Sequence, residues 1–97
     1  MEEEPIRITK LLWDEWNRTH IARHKVIQQE VELSLTDKNA IFLKAKQGRI
    51  MVLGRAEARL ITSVLNEQET SGVYYVITAR DMSKKERAFY RARGGEK

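Results

Sequence analysis

The sequence predicts an α+β domain: a small curved antiparallel sheet with two N-terminal helices and one C-terminal helix, in the order β-α-α-β-β-β-β-α. Three observations carry this prediction. Residues 13–35 place apolar side chains at helical spacing. Residues 40–78 hold four runs of strand-forming residues separated by short polar turns. Ser83-Lys84-Lys85-Glu86 then has the pattern of a helix start. Pro5 is the only proline in the 97 residues, and no repeat or Pro/Gly-rich linker divides the chain. Residues 1–97 are therefore read as one domain, with frayed ends at 1–5 and 94–97.

The elements follow in order. IRITKLL, residues 6–12, alternates loosely and reads as a short strand. Asp14 starts a helix, because its carboxylate accepts from free backbone N–H groups. Along that helix Trp13, Asn17, His20, Ile21 and His24 share a stripe, with Trp13 directed to the core and Trp16 to the surface. A second helix covers Ile27–Leu35, and Thr36-Asp37-Lys38-Asn39 closes it with turn formers. AIFLKA (40–45), IMVLG (50–54), RLITSVL (59–65) and VYYVIT (73–78) are strands. Their closeness in sequence predicts an antiparallel meander with helices over at least one face. Tyr74 and Tyr75 point to opposite faces of the last strand. In the final helix the Ser83 hydroxyl and the Glu86 carboxylate satisfy each other's backbone N–H groups. Ala88, Phe89 and Ala92 are placed against the sheet, and Gly94-Gly95 ends the helix.

Charge is distributed unevenly. Residues 80–97 hold seven Lys or Arg against three Asp or Glu, whereas residues 1–79 hold eleven of each. The net charge of +4 therefore resides in the last segment, and Lys84, Lys85, Arg87 and Arg91 display it along one helix. Such a surface suits a polyanionic partner, either nucleic acid or an acidic protein. The acidic MEEEP start lacks the basic residues of a secretory signal, and no apolar run is long enough to span a membrane. With no cysteine for disulfides or thiolate metal sites, the expected compartment is the cytoplasm.

WDEWNRTHIARHKV (13–26), Gly54-Arg55 and ITARDMSKKERAFY (77–90) occur in an order and spacing that resemble the BrnT family of small toxins. The resemblance spans about Ile8 to Tyr90. It implies a RelE-like fold and a metal-independent ribonuclease activity, without cofactor, that halts translation by cleaving mRNA or ribosome-associated RNA. It also implies a cognate antitoxin, assembled as a heterotetramer around a DNA-binding antitoxin dimer. The chain departs from the family pattern at Lys25 and Ala58, where glycine is usual, and at Ile27, where Ser or Thr caps the second helix.

Cleavage without a metal needs cations on the phosphate, a base for the ribose 2′-OH and an acid for the leaving oxygen. Arg55 and Arg80 match the family motifs and suit phosphate, since a guanidinium holds two oxygens at once. Their structural alternative is pairing with a carboxylate such as Glu57 or Glu86. Glu86, Tyr90 and His24 are the candidates for proton transfer. Glu86 is equally explained by capping, and His24 by packing in the stripe with Trp13 and Ile21. Lys84, Lys85, Arg87 and Arg91 are the candidate RNA-backbone contacts. His20 and His24 stand four apart, but no third ligand accompanies them, so no metal site is assigned. The competing functional reading is a non-catalytic, diverged member that binds protein or RNA.

Overall fold

Residues 6–95 are described by the computed structural model. In order, the elements are β1 (Lys10–Leu12), α1 (Glu15–Ala22), α2 (Gln28–Leu35), β2 (Ile41–Lys44), β3 (Arg49–Ala56), β4 (Arg59–Glu67), β5 (Val73–Asp81) and α3 (Lys84–Tyr90). A π-helical turn, Arg91–Gly95, extends α3 through both glycines expected to be frayed. The other residues expected to fray, 1–5 and 96–97, lie outside the described part of the chain.

The five strands form one sheet in the order β1-β5-β4-β3-β2. β2 to β5 make the antiparallel meander, but β1 pairs parallel to β5, so the sheet is mixed rather than wholly antiparallel. Topology supplies the reason. Four alternating strands leave β5 running opposite to β2. The α1–α2 pair carries the chain across one face so that β1 also runs opposite to β2, and hence along β5. The expected strand 6–12 is cut to three residues. Ahead of it, Thr9 donates through its amide (2.8 Å) and its hydroxyl (3.2 Å) to the Gly72 carbonyl.

Side chains alternate across the sheet and build two apolar layers. Ile21 of α1, Val26 of the connection that follows and Val31 of α2 pack on Ile50, Val52, Ile61 and Val76. On the other face Tyr90 packs with Leu53, Leu60 and Met82. The orientation of α3 corrects the sequence expectation: Ala88, Phe89 and Ala92 are exposed, and Tyr90 is fully buried. Glu86 and Tyr90, four apart on one helical face, are both hydrogen-bonded to groups beneath the helix. Those two bonds, rather than the weak apolar stripe, set the rotation of the helix.

The helical layer sits very close to the sheet at Gly54. A Cβ built there would stand 2.1 Å from the Ser34 carbonyl oxygen and 2.9 Å from its carbon. No other residue lets the last turn of α2 lie on β3 at this distance. The family departures are absorbed locally. Lys25 takes the left-handed conformation, φ 61°, that a glycine would adopt without strain. Arg59 straps this turn from outside, donating to the His24 and Lys25 carbonyls while pairing with Glu30 (3.0 Å) and Asp81 (2.8 Å). Ile27 caps nothing with its own side chain, but its amide donates to Glu30 Oε1 at 3.0 Å. At the β3–β4 turn the left-handed residue is Glu57, not Ala58.

Trp13 is half-buried and donates from Nε1 to Glu32 Oε2 at 3.0 Å, while Trp16 is 58 % exposed. Tyr74 is buried; Tyr75 is half-buried and donates to the Asp14 carboxylate at 3.0 Å. Asn17 is the main polar group of the interior. Its Oδ1 accepts from the Asp14 amide (2.9 Å), and its Nδ2 donates to the carbonyls of Leu12 (3.0 Å) and Val76 (3.1 Å). One side chain therefore joins α1, the end of β1 and β5. Asn17→Ala leaves two carbonyls and an amide short of partners and is expected to cost about 2–4 kcal/mol, read from urea unfolding. A loss below about 0.5 kcal/mol would show that the clasp is dispensable.

Candidate active site

The α3 face of the sheet gathers most of the side chains singled out from the sequence. Register places Thr62 on β4 directly opposite Arg80 on β5, and Arg55 on β3 opposite Leu60, all on this face. α3 lies over them, its N-terminus fixed by Ser83, whose Oγ accepts from the Glu86 amide at 3.1 Å.

Glu86 is the hub of the first cluster. Arg80 grips it through two parallel bonds, Nη1 to Oε1 at 2.8 Å and Nη2 to Oε2 at 3.0 Å. Oε1 also accepts from the Thr62 hydroxyl (2.8 Å) and the Ser83 amide (2.8 Å). The Arg80 fork, opposed by burial and helped by Ser83 and Thr62, holds the Glu86 carboxyl down to about 2. The same contact, again opposed by burial, raises Arg80. A carboxylate held that low, with both oxygens engaged, is a poor base. Its chemistry is to stay charged and aim Arg80, whose side chain remains 37 % exposed.

Asp37 organises the second cluster from the α2–β2 turn. Its Oδ2 accepts from the Tyr90 hydroxyl at 2.6 Å and from the Arg55 amide at 2.9 Å, and Oδ1 accepts from the Asn39 amide at 3.0 Å. Burial works to raise Asp37, but the Tyr90, Asn39 and Arg55 contacts prevail and lower it. Tyr90 is raised, first by burial and then by its bond to Asp37, with the Arg55 side chain acting in the opposite sense. The Tyr90 proton is thus committed to Asp37, and Arg55 lies against the same pair.

The remaining candidates divide. Lys84, Lys85 and Arg91 project from the outer side of α3 and its extension into solvent. Arg87 is half-buried and donates to the Met82 carbonyl at 2.8 Å, tying down the helix start. His24 stands apart from both clusters, on the helical layer of the opposite face. It is exposed, not packed in the core, and its ring meets that of His20 edge-on at 6.0 Å. The physical reason is that α1 buries Asn17 and Ile21, which turns the Trp16–His20–His24 row outward. Among the described residues no group of three His, Cys, Asp or Glu is placed to hold a metal ion.

A family model for the ribonuclease toxin BrnT, of type II toxin–antitoxin systems, matches residues 13–86. The chain belongs to the BrnT family. Among solved structures it is similar to the Brucella abortus ribonuclease toxin BrnT, with 28% identity and a TM-score of 0.60. That match covers 77% of this chain and 97% of the Brucella BrnT chain. No curated protein matches the chain. The BrnT match takes in Arg55, Arg80 and Glu86 and stops short of Tyr90.

Sequence reasoning missed Asp37 and Thr62. Asp37 had a signal, since an Asp two residues before Asn39 in a turn bonds back to that amide. Thr62 had none, being one β-branched residue in a strand.

The Arg80–Glu86 pair carries a pH prediction. A carboxyl lowered by folding adds stability above its ordinary value of 4.5 and loses it as the pH falls toward about 2. After allowance for solvent screening at Arg80, the contribution lost should be about 2 kcal/mol. Urea unfolding of the wild type and Glu86→Gln checks it: a stability gap at neutral pH should close between pH 4.5 and 2. A gap independent of pH would assign the effect to packing instead.

Proposed function

We propose that this chain is a metal-independent endoribonuclease that halts translation in the cytoplasm and is neutralised by a cognate antitoxin. The observation that carries this reading is Arg80. It is forked onto Glu86, braced through Thr62 and Ser83, and still open to solvent on a rigid strand. Cleavage of RNA by its own 2′-OH accumulates negative charge on the phosphate. A guanidinium fixed beforehand stabilises that charge without reorganising. In this reading Arg55 supports the phosphate from the neighbouring strand, held by the Asp37–Tyr90 pair. Lys84, Lys85 and Arg91 draw in the RNA backbone by charge neutralisation. Glu86 and Tyr90 position the two arginines.

Family membership and the localised charge support the partner reading. A type II toxin is paired with an antitoxin, and an acidic segment laid over α3 would block RNA entry by covering the same cations. A heterotetramer built on a DNA-binding antitoxin dimer is the assembly proposed.

The test is cleavage of a defined RNA by the purified protein in excess EDTA, wild type beside Arg80→Ala. Wild-type cleavage leaving 2′,3′-cyclic phosphate ends, lost in the variant, supports the reading. Dependence on added metal overturns the metal-independent part, and inert wild type favours a non-catalytic binding module.

A further inference from the structure

A cleft of about 650 Å³ lies away from Arg80, toward the other end of the strands and on the opposite face. On β4 the stretch from Thr62, opposite Arg80, to Glu67 at this cleft is five residue steps, roughly 17 Å. The floor is Ile50 and Tyr74, adjacent to Lys44 and Glu67 respectively in the sheet register. The segment ahead of β1 forms a wall with Ile6 and Arg7, and Arg49 comes in from the β2–β3 turn.

Tyr74 is the informative residue. It is only 4 % exposed, yet its hydroxyl has no hydrogen-bond acceptor among the described residues. The ring is buried, and the small part of the side chain left accessible includes the hydroxyl. That hydroxyl faces the cleft. Burial raises Tyr74, and the nearby Glu67 charge adds to the rise, so it remains a donor at neutral pH.

We propose that this cleft binds a nucleoside monophosphate. Arg7 and Arg49 enter no ion pair among the described residues, and their forks suit a phosphate's oxygens. The Tyr74 hydroxyl completes the phosphate cradle as a neutral donor. Partly exposed Ile6 supplies an apolar wall for a flat base, backed by the buried Ile50 and the Tyr74 ring. Glu67, one of whose oxygens accepts from the Gly72 amide at 3.2 Å, faces the ribose hydroxyls as an acceptor. A bare phosphate would leave most of this volume and the apolar wall unused; a mononucleotide fills both. The site does not depend on the nuclease reading.

The experiment is titration of the ¹⁵N-labelled full chain with adenosine 5′-monophosphate and, separately, inorganic phosphate. Saturable shifts are expected at the amides of Arg7, Gly48, Arg49 and Ser71, with phosphate binding at least about tenfold more weakly. Tyr74→Phe keeps the ring and removes one charge-assisted bond, so it should weaken the nucleotide about tenfold, as should Arg49→Ala. Arg80→Ala should leave these shifts unchanged. The proposal is overturned if no saturable shift appears, or if the shifts gather around Arg55 and Arg80. It also fails if both variants bind like wild type, or if phosphate binds as tightly as the nucleotide.

Discussion

Gly54→Ala is expected to cost at least about 3 kcal/mol, and to leave much of the protein unfolded at 37 °C. The new methyl carbon would lie 2.1 Å from the Ser34 carbonyl oxygen and 3.1 Å from its Cβ. Backbone cannot rotate away as a side-chain tip can, so either α2 lifts or β3 bends. Lifting α2 pulls Val31 out of the core and drags on Asp37, which follows that helix and holds the Arg55 amide and Tyr90 hydroxyl. One methyl group therefore strikes packing and active face together. Thermal unfolding decides the matter: a variant melting within a few degrees of wild type would mean the helix layer yields far more easily than close-packed interiors do.

The second large effect is catalytic. Arg80→Ala should lower RNA cleavage by roughly 10²–10³-fold, the usual consequence of losing one preorganised group that stabilises developing negative charge. The loss of stability should stay within the roughly 2 kcal/mol assigned to the Arg80–Glu86 pair, because Arg80 is partly exposed and Thr62 and Ser83 still bond to Glu86. Arg80→Lys separates charge from shape. Lysine keeps the cation but cannot make the two parallel bonds to Glu86, so most of the loss should persist. Full activity in Arg80→Lys would reduce the residue to a point charge. Full activity in Arg80→Ala, with the fold intact by circular dichroism, would remove it from the mechanism.

Much of the layout was legible before the structure. The Asp14 and Ser83 helix starts and the four-strand meander are written in local residue chemistry, which acts over a few positions. The parallel seat of β1 was not legible, because pairing between residues some sixty apart is decided by how two intervening helices cross the sheet. The rotation of α3 was misread for a related reason. Its apolar residues suggested one face, but Glu86 and Tyr90 found partners on β4, β5 and the α2–β2 turn that periodicity cannot see. Among the site residues, Arg55 and Arg80 stood out through motif and charge. Asp37 and Thr62 act only because distant segments bring them beneath α3. His24 was chosen for its chemistry, and the outward turn of its helix face leaves it on the far layer.

The parallel seating of β1 also sets an order of events in folding. The meander closes through short loops, whereas Lys10 must find Val73 across most of the chain. Long-range closure of this kind comes late, when the rest of the sheet offers an edge to meet. Asn17, which spans β1 and β5, then works as a latch fastened after the rate-limiting step. Its loss should speed unfolding and leave refolding nearly unchanged in a denaturant chevron. Slower refolding of Asn17→Ala would place the latch inside the nucleus instead. A late latch makes the β1 edge the first part to open under stress, while the arginine face on the meander stays assembled behind it.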